Sequence, residues 1–177
     1  MAKKIVLYLI PFLFNTLSLV TAQNIDQTLS KVAFTISNFK VNTVEGTFKE
    51  MDGEINFNAE NLNSSKFNVC ISAESIYTDN EKRDEHLRNE DFFNVEKFPS
   101  ICFVSNEIRK TDNGYESNGK LTLHGVTKAV TIDFNKDKNS FTGQLKINRL
   151  DFNLGEDTGT FTVGNEVKIE IKCVLKE

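Results

Sequence analysis

The sequence predicts an all-β fold in which one antiparallel sheet closes into a barrel. From Ser30 onward, apolar and polar residues alternate with a period of two, which is typical of strands that have one buried and one wetted face. Short polar turn sequences such as MDGE and TDNG separate these runs. Only one segment has helical character, so no layer of helices can cover an open sheet, whereas closure buries one face and removes the edges. A two-sheet sandwich is the alternative.

The alternating runs predict eight or more strands. The clearest runs, in chain order, are KVAFTISNF, FNVCISA, GKLTLHG, VTKAVTIDF, SFTGQLKI and VKIEIKCVL. In the last run Val167, Ile169 and Ile171 fall on one face, and Lys168 and Glu170 fall on the other. Because the connections between runs are short and polar, neighbours in sequence are expected to be antiparallel neighbours in the sheet.

One charged stretch interrupts this pattern and predicts a short helix. Thr78 and Glu81 have the spacing of a capping box, so a helix can begin there. Asp84 and Arg88 are four residues apart, a spacing that favours an ion pair on a helix surface. With Leu87 as its one large apolar residue, this helix is expected to be solvated and to cross one end of the barrel.

Two adjacent aromatic residues follow the helix. Phe92 and Phe93 lie within a connection that runs from residue 80 to residue 99, in a chain whose other connections are mostly tight turns. Long connections of this kind are usually functional or close something. We therefore expect the two rings to seal one end of the barrel and to act as its gate.

The first 22 residues are typical of a secretory signal peptide. Lys3 and Lys4 precede an apolar run and a small-residue exit, with cleavage expected after Ala22. The alternative is a membrane anchor, although the run of about 16 apolar residues is short of the roughly 20 that span a bilayer. Cleavage leaves one domain, residues 23–177, and a protein expected in the periplasm or outside the cell.

Composition excludes some partners of the mature chain. Without Lys3 and Lys4 it carries 19 basic and 25 acidic residues, a net charge of −6, which argues against nucleic acid and against anionic membrane surfaces. The cysteines have no zinc or redox spacing. In an oxidising compartment Cys70 and Cys102 could bridge neighbouring strands, but unbonded cysteines, Cys173 included, are the favoured interpretation.

The residues do not favour an enzyme, a metal site or a cofactor. The two histidines, His86 and His124, form no HxH or HExxH motif. The chain has no GxSxG elbow, and GEDTG lacks the Gly-Lys-Ser/Thr ending of a P-loop. Carboxylates surround His86 and could serve acid–base chemistry, but on an exposed helix they are more often a solvated face.

Several motifs in order resemble the YceI-like family of secreted bacterial lipid-binding domains. They are SKVAFTISNF, VEGTFKEMDGEINF, AESIYTDNEKRDEHLRNEDFFNVEKFPSICF, GKLTLHGVTKAV, INRLDFNL and VGNEVKIEIKCVL, and they span about residues 30–175. The chain departs from the family at Asn153, where glycine is commoner, and at Cys102, where threonine is usual. The first departure concerns a local bend, and the second adds a thiol.

The resemblance implies an eight-stranded, lipocalin-like barrel with an apolar tunnel for a polyisoprenoid, a quinone-like lipid or another long amphipathic molecule. Related barrels often dimerise through exposed strands, which leaves a homodimer as an open alternative. An eight-stranded barrel is just wide enough to be filled by side chains or to hold one slender ligand. A secreted structural module with a filled barrel and no ligand is therefore the competing hypothesis.

The mature chain has 13 phenylalanines and no tryptophan, a supply of flat apolar side chains. Alternation alone favours a packed core for each inward residue, and the resemblance moves the set towards a tunnel. The expected lining is Phe34, Ile36, Phe48, Ile55, Phe57, Val69, Ile71, Phe92, Phe93, Phe103, Leu121, Leu123, Ile132, Phe134, Ile147, Phe152, Ile169 and Ile171. The candidate head-group donors at the mouth are Arg83, His86, Arg88, His124 and Arg149, although for each of them a solvated surface or salt-bridge role is the favoured interpretation.

Overall fold

A computed structural model describes residues 23–39 and 41–176. The expected signal peptide, residues 1–22, lies outside the described residues. Within the described part of the chain, no helix is long and apolar enough to cross a membrane.

The described chain forms one antiparallel sheet and one short α-helix. The elements are β1 Gln23–Asn24, β2 Lys31–Asn38, β3 Asn42–Phe48, β4 Asp52–Asn56, β5 Lys66–Ser72, α1 Glu81–Arg88, β6 Ser100–Thr111, β7 Gly114–Leu123, β8 Val126–Asp137, β9 Ser140–Asn148 and β10 Val163–Val174. Short 3-10 turns occupy Leu62–Ser64 and Arg149–Phe152.

The ten strand segments fill eight positions around the sheet. Because every pairing is antiparallel, β3 and β4 run in the same direction, and only residues 49–51 separate them. Glu50, at φ 58°, makes the bend between them. β1 and β2 also share a direction and are separated by the turn at residues 25–30. The predicted eight-stranded antiparallel architecture is therefore confirmed.

Backbone hydrogen bonds at β1 close the sheet into a barrel. β1 pairs with β4, and Ile25 forms a bridge with Leu175, just beyond the end of β10. The Asp26 N–H donates to the Val174 carbonyl over 2.7 Å, and the Lys176 N–H donates to the Asn24 carbonyl over 2.9 Å. The closed sheet rules out the two-sheet sandwich as the arrangement of these strands.

The two ends of the barrel differ. At the end we call the floor, the β6–β7 and β8–β9 hairpins are short. Five rings pack there with centroid distances of 5.0–6.3 Å, and we call them the floor cluster: Phe57, Phe67, Tyr115, Phe134 and Phe141. The opposite end, which we call the cap end, holds the two longest connections, residues 73–99 and residues 149–162.

The connection 73–99, the cap segment, contains α1 where the sequence predicts it. The N-cap is Asn80, whose side chain accepts a hydrogen bond from the Arg83 N–H over 3.0 Å, so the predicted capping box at Thr78 is wrong. The backbone N–H and the hydroxyl of Thr78 instead donate to the carboxylate of Asp84, which is buried. Buried against Thr78, Asp84 does not form the expected pair with Arg88.

A disulfide joins the two strands that flank the cap segment. Cys70 on β5 and Cys102 on β6 lie directly opposite each other, with their Cα atoms 4.1 Å apart, and are bonded. The favoured interpretation of unbonded cysteines is therefore wrong. The bridge closes a loop of 32 residues, which by the chain-entropy relation stabilises the fold by about 3–4 kcal/mol. Just above it, the Ala73 N–H donates to the Pro99 carbonyl over 2.9 Å.

Candidate functional site

A cavity of about 500 Å³ occupies the interior of the barrel. Its wall is formed by inward-facing apolar side chains of the strands, because alternate residues of each strand point to the barrel axis. Three lining residues are exposed to solvent, namely Ser37, Phe39 and His86, and all three lie at the cap end. The mouth of the cavity is therefore at the cap end, and the floor cluster closes the other end.

Most of the expected tunnel residues line this cavity. They are Phe34, Ile36, Phe48, Ile55, Val69, Ile71, Phe92, Phe93, Phe103, Leu121, Leu123, Ile132, Phe134, Ile147, Ile169 and Ile171. Phe92 and Phe93 come from the cap segment and cover the cavity from the cap end, where the sequence places a seal. Whether these side chains contact a ligand stays a prediction.

Two expected tunnel residues lie outside the cavity wall. Phe57 follows the last residue of β4 and packs in the floor cluster, with its ring centroid 5.0 Å from that of Tyr115, so it belongs to the closed end. Phe152 is buried in the 3-10 turn after β9, where alternation no longer determines which way a side chain points. Both residues lie beyond the end of a strand, where the period of two no longer predicts the inward face.

Several lining residues were missing from the expected set although their strands were correctly placed. Phe67, Phe141, Leu145, Val167 and Cys173 share inward faces with expected residues, so the period of two already carried the signal. Others line the wall from irregular segments and have no periodic signal, among them Met51 and Leu154.

The polar groups of the cavity are concentrated at the mouth. Seven polar lining residues belong to segments of the cap end, and they are Ser37, Asn38, Arg83, His86, Arg149, Thr158 and Thr162. At depth the wall includes one hydroxyl, that of Ser117, which is fully buried and has no hydrogen-bond partner among the described residues. The cavity is thus apolar along its length and polar at one end.

Arg83 and His86 stand at the mouth on α1. The Arg83 guanidinium donates through Nε to the Thr78 hydroxyl over 2.7 Å and through Nη2 to the Thr78 carbonyl over 2.6 Å. The His86 Nδ1 is 4.0 Å from the Asp91 carboxylate, and its ring lies edge-on to Phe92, with centroids 5.2 Å apart. These two side chains remain candidates for contact with a polar head group.

Two other expected mouth residues do not line the cavity. Arg88 donates to the carbonyls of Glu74 and Ile76 over 2.9 and 2.8 Å, so it holds the cap segment in place. His124 lies in the β7–β8 turn, packs on Phe98 with ring centroids 4.7 Å apart, and has Nδ1 3.3 Å from the Phe152 carbonyl. Each of them connects two parts of the cap end.

Arg149 lines the cavity wall but has no N–H left for a ligand. Its side chain is 2% exposed, and burial lowers the pKa of its guanidinium from the usual value. All five N–H groups donate to backbone carbonyls at 2.6–3.2 Å, and the acceptors are Leu154, Gly155, Thr158, Val163 and Gly164. Its expected role as a head-group donor is replaced by that of a latch for residues 149–162, which we call the mouth loop.

The free thiol near the floor gives a pH-dependent prediction. Burial raises the pKa of Cys173 to about 11 from 9.0, with a smaller opposing effect from a hydrogen bond with Ser30. A thiol with a raised folded-state pKa stays protonated in the fold after the unfolded chain has ionised, so stability is lost as pH rises from 9 towards 11. We expect about 2 kcal/mol of loss by pH 11.

Urea unfolding of wild type and C173V at pH 8 and pH 11 measures this effect. Lysines and tyrosines titrate in both proteins. The loss of unfolding free energy between pH 8 and pH 11 in wild type, minus the same loss in C173V, therefore isolates the contribution of the thiol. Equal losses of unfolding free energy in the two proteins would contradict the prediction.

A model of the YceI-like domain matches residues 23–175. This chain belongs to the YceI-like family. The match covers the whole barrel from β1 to the residue after β10, so the resemblance seen in the sequence motifs is confirmed.

Known proteins resemble this chain in sequence and in fold. The chain is 34% identical over 156 residues to "Protein YceI" of Salmonella newport (strain SL254), which covers 82% of each chain. The crystal structure of Burkholderia cenocepacia BcnA matches with a TM-score of 0.77 and 26% identity, covering 86% of this chain and 99% of that one. A polyisoprenoid binding domain from Saccharophagus degradans matches with a TM-score of 0.68 and 16% identity, covering 88% and 98%.

The departure of this YceI-like chain at Asn153 has a structural explanation. Asn153 ends the 3-10 turn Arg149–Phe152 with φ 56° and ψ 30°, the left-handed conformation. Glycine adopts this conformation without strain, and asparagine is among the few other residues that tolerate it. The asparagine therefore keeps this bend within the mouth loop.

Proposed function

We propose that this YceI-like protein binds one polyisoprenoid or similar long-chain amphipathic lipid, for transport or storage. The chain of the lipid would occupy the barrel cavity, and its head group would lie at the mouth. The observation that carries this proposal is the cavity of about 500 Å³, apolar along its length and polar at the cap end. Its volume is within the range of about 300–1,000 Å³ that is usual for ligand sites.

The energetics suit a hydrocarbon chain. Burying one CH₂ contributes about 0.8 kcal/mol, so one five-carbon isoprene unit contributes about 4 kcal/mol before losses. Association and chain ordering oppose binding by about 4–15 kcal/mol, which a few buried units exceed. Affinity therefore needs no ion pair, and donors at the mouth such as Arg83 and His86 would decide which end of the lipid enters.

The proposal includes a secreted or periplasmic location. The signal-peptide pattern of residues 1–22 supports it. The disulfide between Cys70 and Cys102 also supports it, because such bridges persist in oxidising compartments.

Two other functions fit the residues less well. A catalytic role would need reactive groups in the cavity, and the described wall offers mainly saturated and aromatic side chains. No group of three or more His, Cys, Asp or Glu residues within 23–39 and 41–176 is placed to hold a metal ion. A structural module with a filled barrel would not need an open interior.

The choice of polyisoprenoid as the ligand class rests on the cavity shape together with the description of the Saccharophagus degradans domain as polyisoprenoid-binding. At 16% identity that likeness shows the fold alone. Polyisoprenoids are therefore the first ligand class to test.

Organic-solvent extraction of the purified protein, followed by mass spectrometry, tests the proposal. We expect a long-chain lipid at about one per protein, or uptake of added isoprenoid alcohol to that ratio. The variant L145W, which enlarges a side chain of the cavity wall, should lower this occupancy at least fivefold. V104W, an equivalent change on the outer face of β6, should not change it.

A clean extract together with no uptake of added lipid would overturn the proposal in favour of the structural module. Equal occupancy in L145W and V104W would place the lipid outside the cavity.

A further inference from the structure

Three large apolar side chains project into solvent beside the mouth, and we call them the apolar rim. Phe39 and Val41 stand at the β2–β3 hairpin, 49% and 83% exposed, and Phe161 stands on the mouth loop, 63% exposed. The Phe39 N–H donates to the Thr162 carbonyl over 2.9 Å, so the hairpin tip and the mouth loop are held together. The three residues therefore form one patch.

The apolar rim is continuous with the cavity. Phe39 is exposed to solvent and also lines the cavity wall, next to Ser37 and Asn38. An apolar chain entering the barrel at this point would pass along the rim before it reaches the interior. Exposed apolar surface around a binding site commonly marks contact with a partner or a membrane.

We propose that the apolar rim docks on the surface of a neutral lipid bilayer, so that a lipid chain passes between bilayer and cavity without crossing water. This goes beyond the binding function proposed above, because it assigns a surface and a partner for loading. In sequence, the hairpin residues 39–41 carry one basic residue, Lys40, and residues 153–162 of the mouth loop carry two acidic residues, Glu156 and Asp157. The resulting net charge of −1 gives no attraction to an anionic surface. The expected partner is therefore a membrane rich in zwitterionic lipids.

The size of the rim argues against a second protein chain as its occupant. Stable protein interfaces bury roughly 1,200–2,000 Å² and involve about 20–30 residues on each side. Three side chains on two adjacent loops are far from that area, whereas affinity for a bilayer interface rises with whatever apolar area is inserted, so a small rim suits weak and reversible attachment.

The absence of tryptophan from the chain allows a direct test. F39W places a single indole in the rim, and the matched variant L29W places one on Leu29, an exposed apolar residue (54%) in the turn at the floor end. Both are titrated with phosphatidylcholine vesicles that contain brominated lipid. We expect the F39W emission to shift to the blue and to be quenched, with L29W unchanged.

Vesicle sedimentation gives the second measurement. The triple variant F39S/V41S/F161S should bind phosphatidylcholine vesicles at least tenfold more weakly than wild type, and L29S should bind like wild type. Replacing a third of the phosphatidylcholine with phosphatidylglycerol should not strengthen binding. If the triple variant does not fold, the single-indole comparison still decides the matter.

Each other outcome counts against docking. Equal responses of F39W and L29W, or no response of either, would overturn it. A blue shift of F39W that depends on protein concentration without vesicles would assign the rim to a second copy of the chain. Isoprenoid alcohol delivered in detergent tests the binding function separately. If wild type takes up this lipid but the F39W fluorescence does not respond to vesicles, docking is overturned and the binding function stands.

Discussion

Replacing Arg149 with methionine is expected to lower the free energy of unfolding by about 3–5 kcal/mol, because hydrogen bonds to a charged group contribute about 1.5–3 kcal/mol each and water can replace only some of them. Methionine keeps much of the apolar stem but removes five N–H donors, and the five carbonyls that they satisfy are left without those partners. The mouth loop should loosen as a result. Because Leu154, Thr158 and Thr162 of this loop line the cavity, bound lipid should also be lost more readily.

Urea unfolding and hydrogen exchange of residues 149–162 measure the two effects of R149M. R149K keeps the charge but offers three donors without the planar fork, so we expect a smaller, intermediate loss. R109M is the matched surface control, because Arg109 is exposed and pairs with Glu107, and its removal should cost less than about 1 kcal/mol. If R149M and R109M unfold at the same urea concentration, the hydrogen bonds of Arg149 do not stabilise the fold as predicted.

The double variant F92A/F93A is expected to release bound lipid at least tenfold faster than wild type. Phe92 is buried and packs on Gly155 of the mouth loop, where an added Cβ would lie 2.6 Å from its ring, so the contact requires glycine at that position. Phe93 meets Phe48 of β3 edge-on, with centroids 5.3 Å apart. The two rings thus connect the cap segment to the mouth loop and to the barrel wall.

Removing these rings also lowers the free energy of unfolding, by about 3–5 kcal/mol for a fully buried phenylalanine. A suitable control variant must therefore be destabilised to a similar extent. F98A/F152A serves this purpose, because both rings lie at the cap end and neither lines the cavity. Transfer of a fluorescent isoprenoid to acceptor vesicles, measured under conditions where both variants are folded, gives the two rates. Equal acceleration in both variants would show that Phe92 and Phe93 are not a gate.

The period of two predicted which strand residues face the inside of the sheet, and the resemblance to a lipid-binding family predicted that they line a tunnel. A side chain within a strand points to one face or the other, so choosing the apolar face of each run identified wall residues such as Val69 and Ile169 without any knowledge of the fold. The same rule failed one residue beyond a strand, at Phe57, and inside a 3-10 turn, at Phe152, because neither position is held in a strand ladder.

The charged residues were predicted less well, because their partners are distant in sequence or are backbone atoms. Helical spacing paired Asp84 with Arg88, yet Asp84 accepts from Thr78, and Arg88 donates to two carbonyls of the preceding loop. Local spacing gives no information about carbonyl groups that converge from a loop. The same limit applies to Arg149, whose environment is formed by the main chain of residues 154–164.

Alternation and turn chemistry by themselves determined an antiparallel sheet, and the spacing of charged residues determined one helix, because these are local preferences. Closure of the sheet was decided by tertiary pairing at β1. The bonding of Cys70 to Cys102, the latch at Arg149, the open volume inside the barrel and the position of its mouth were decided by tertiary structure. An inward pattern is the same whether side chains from opposite walls meet or leave a space. Only the distance across the closed barrel separates a packed core from a cavity.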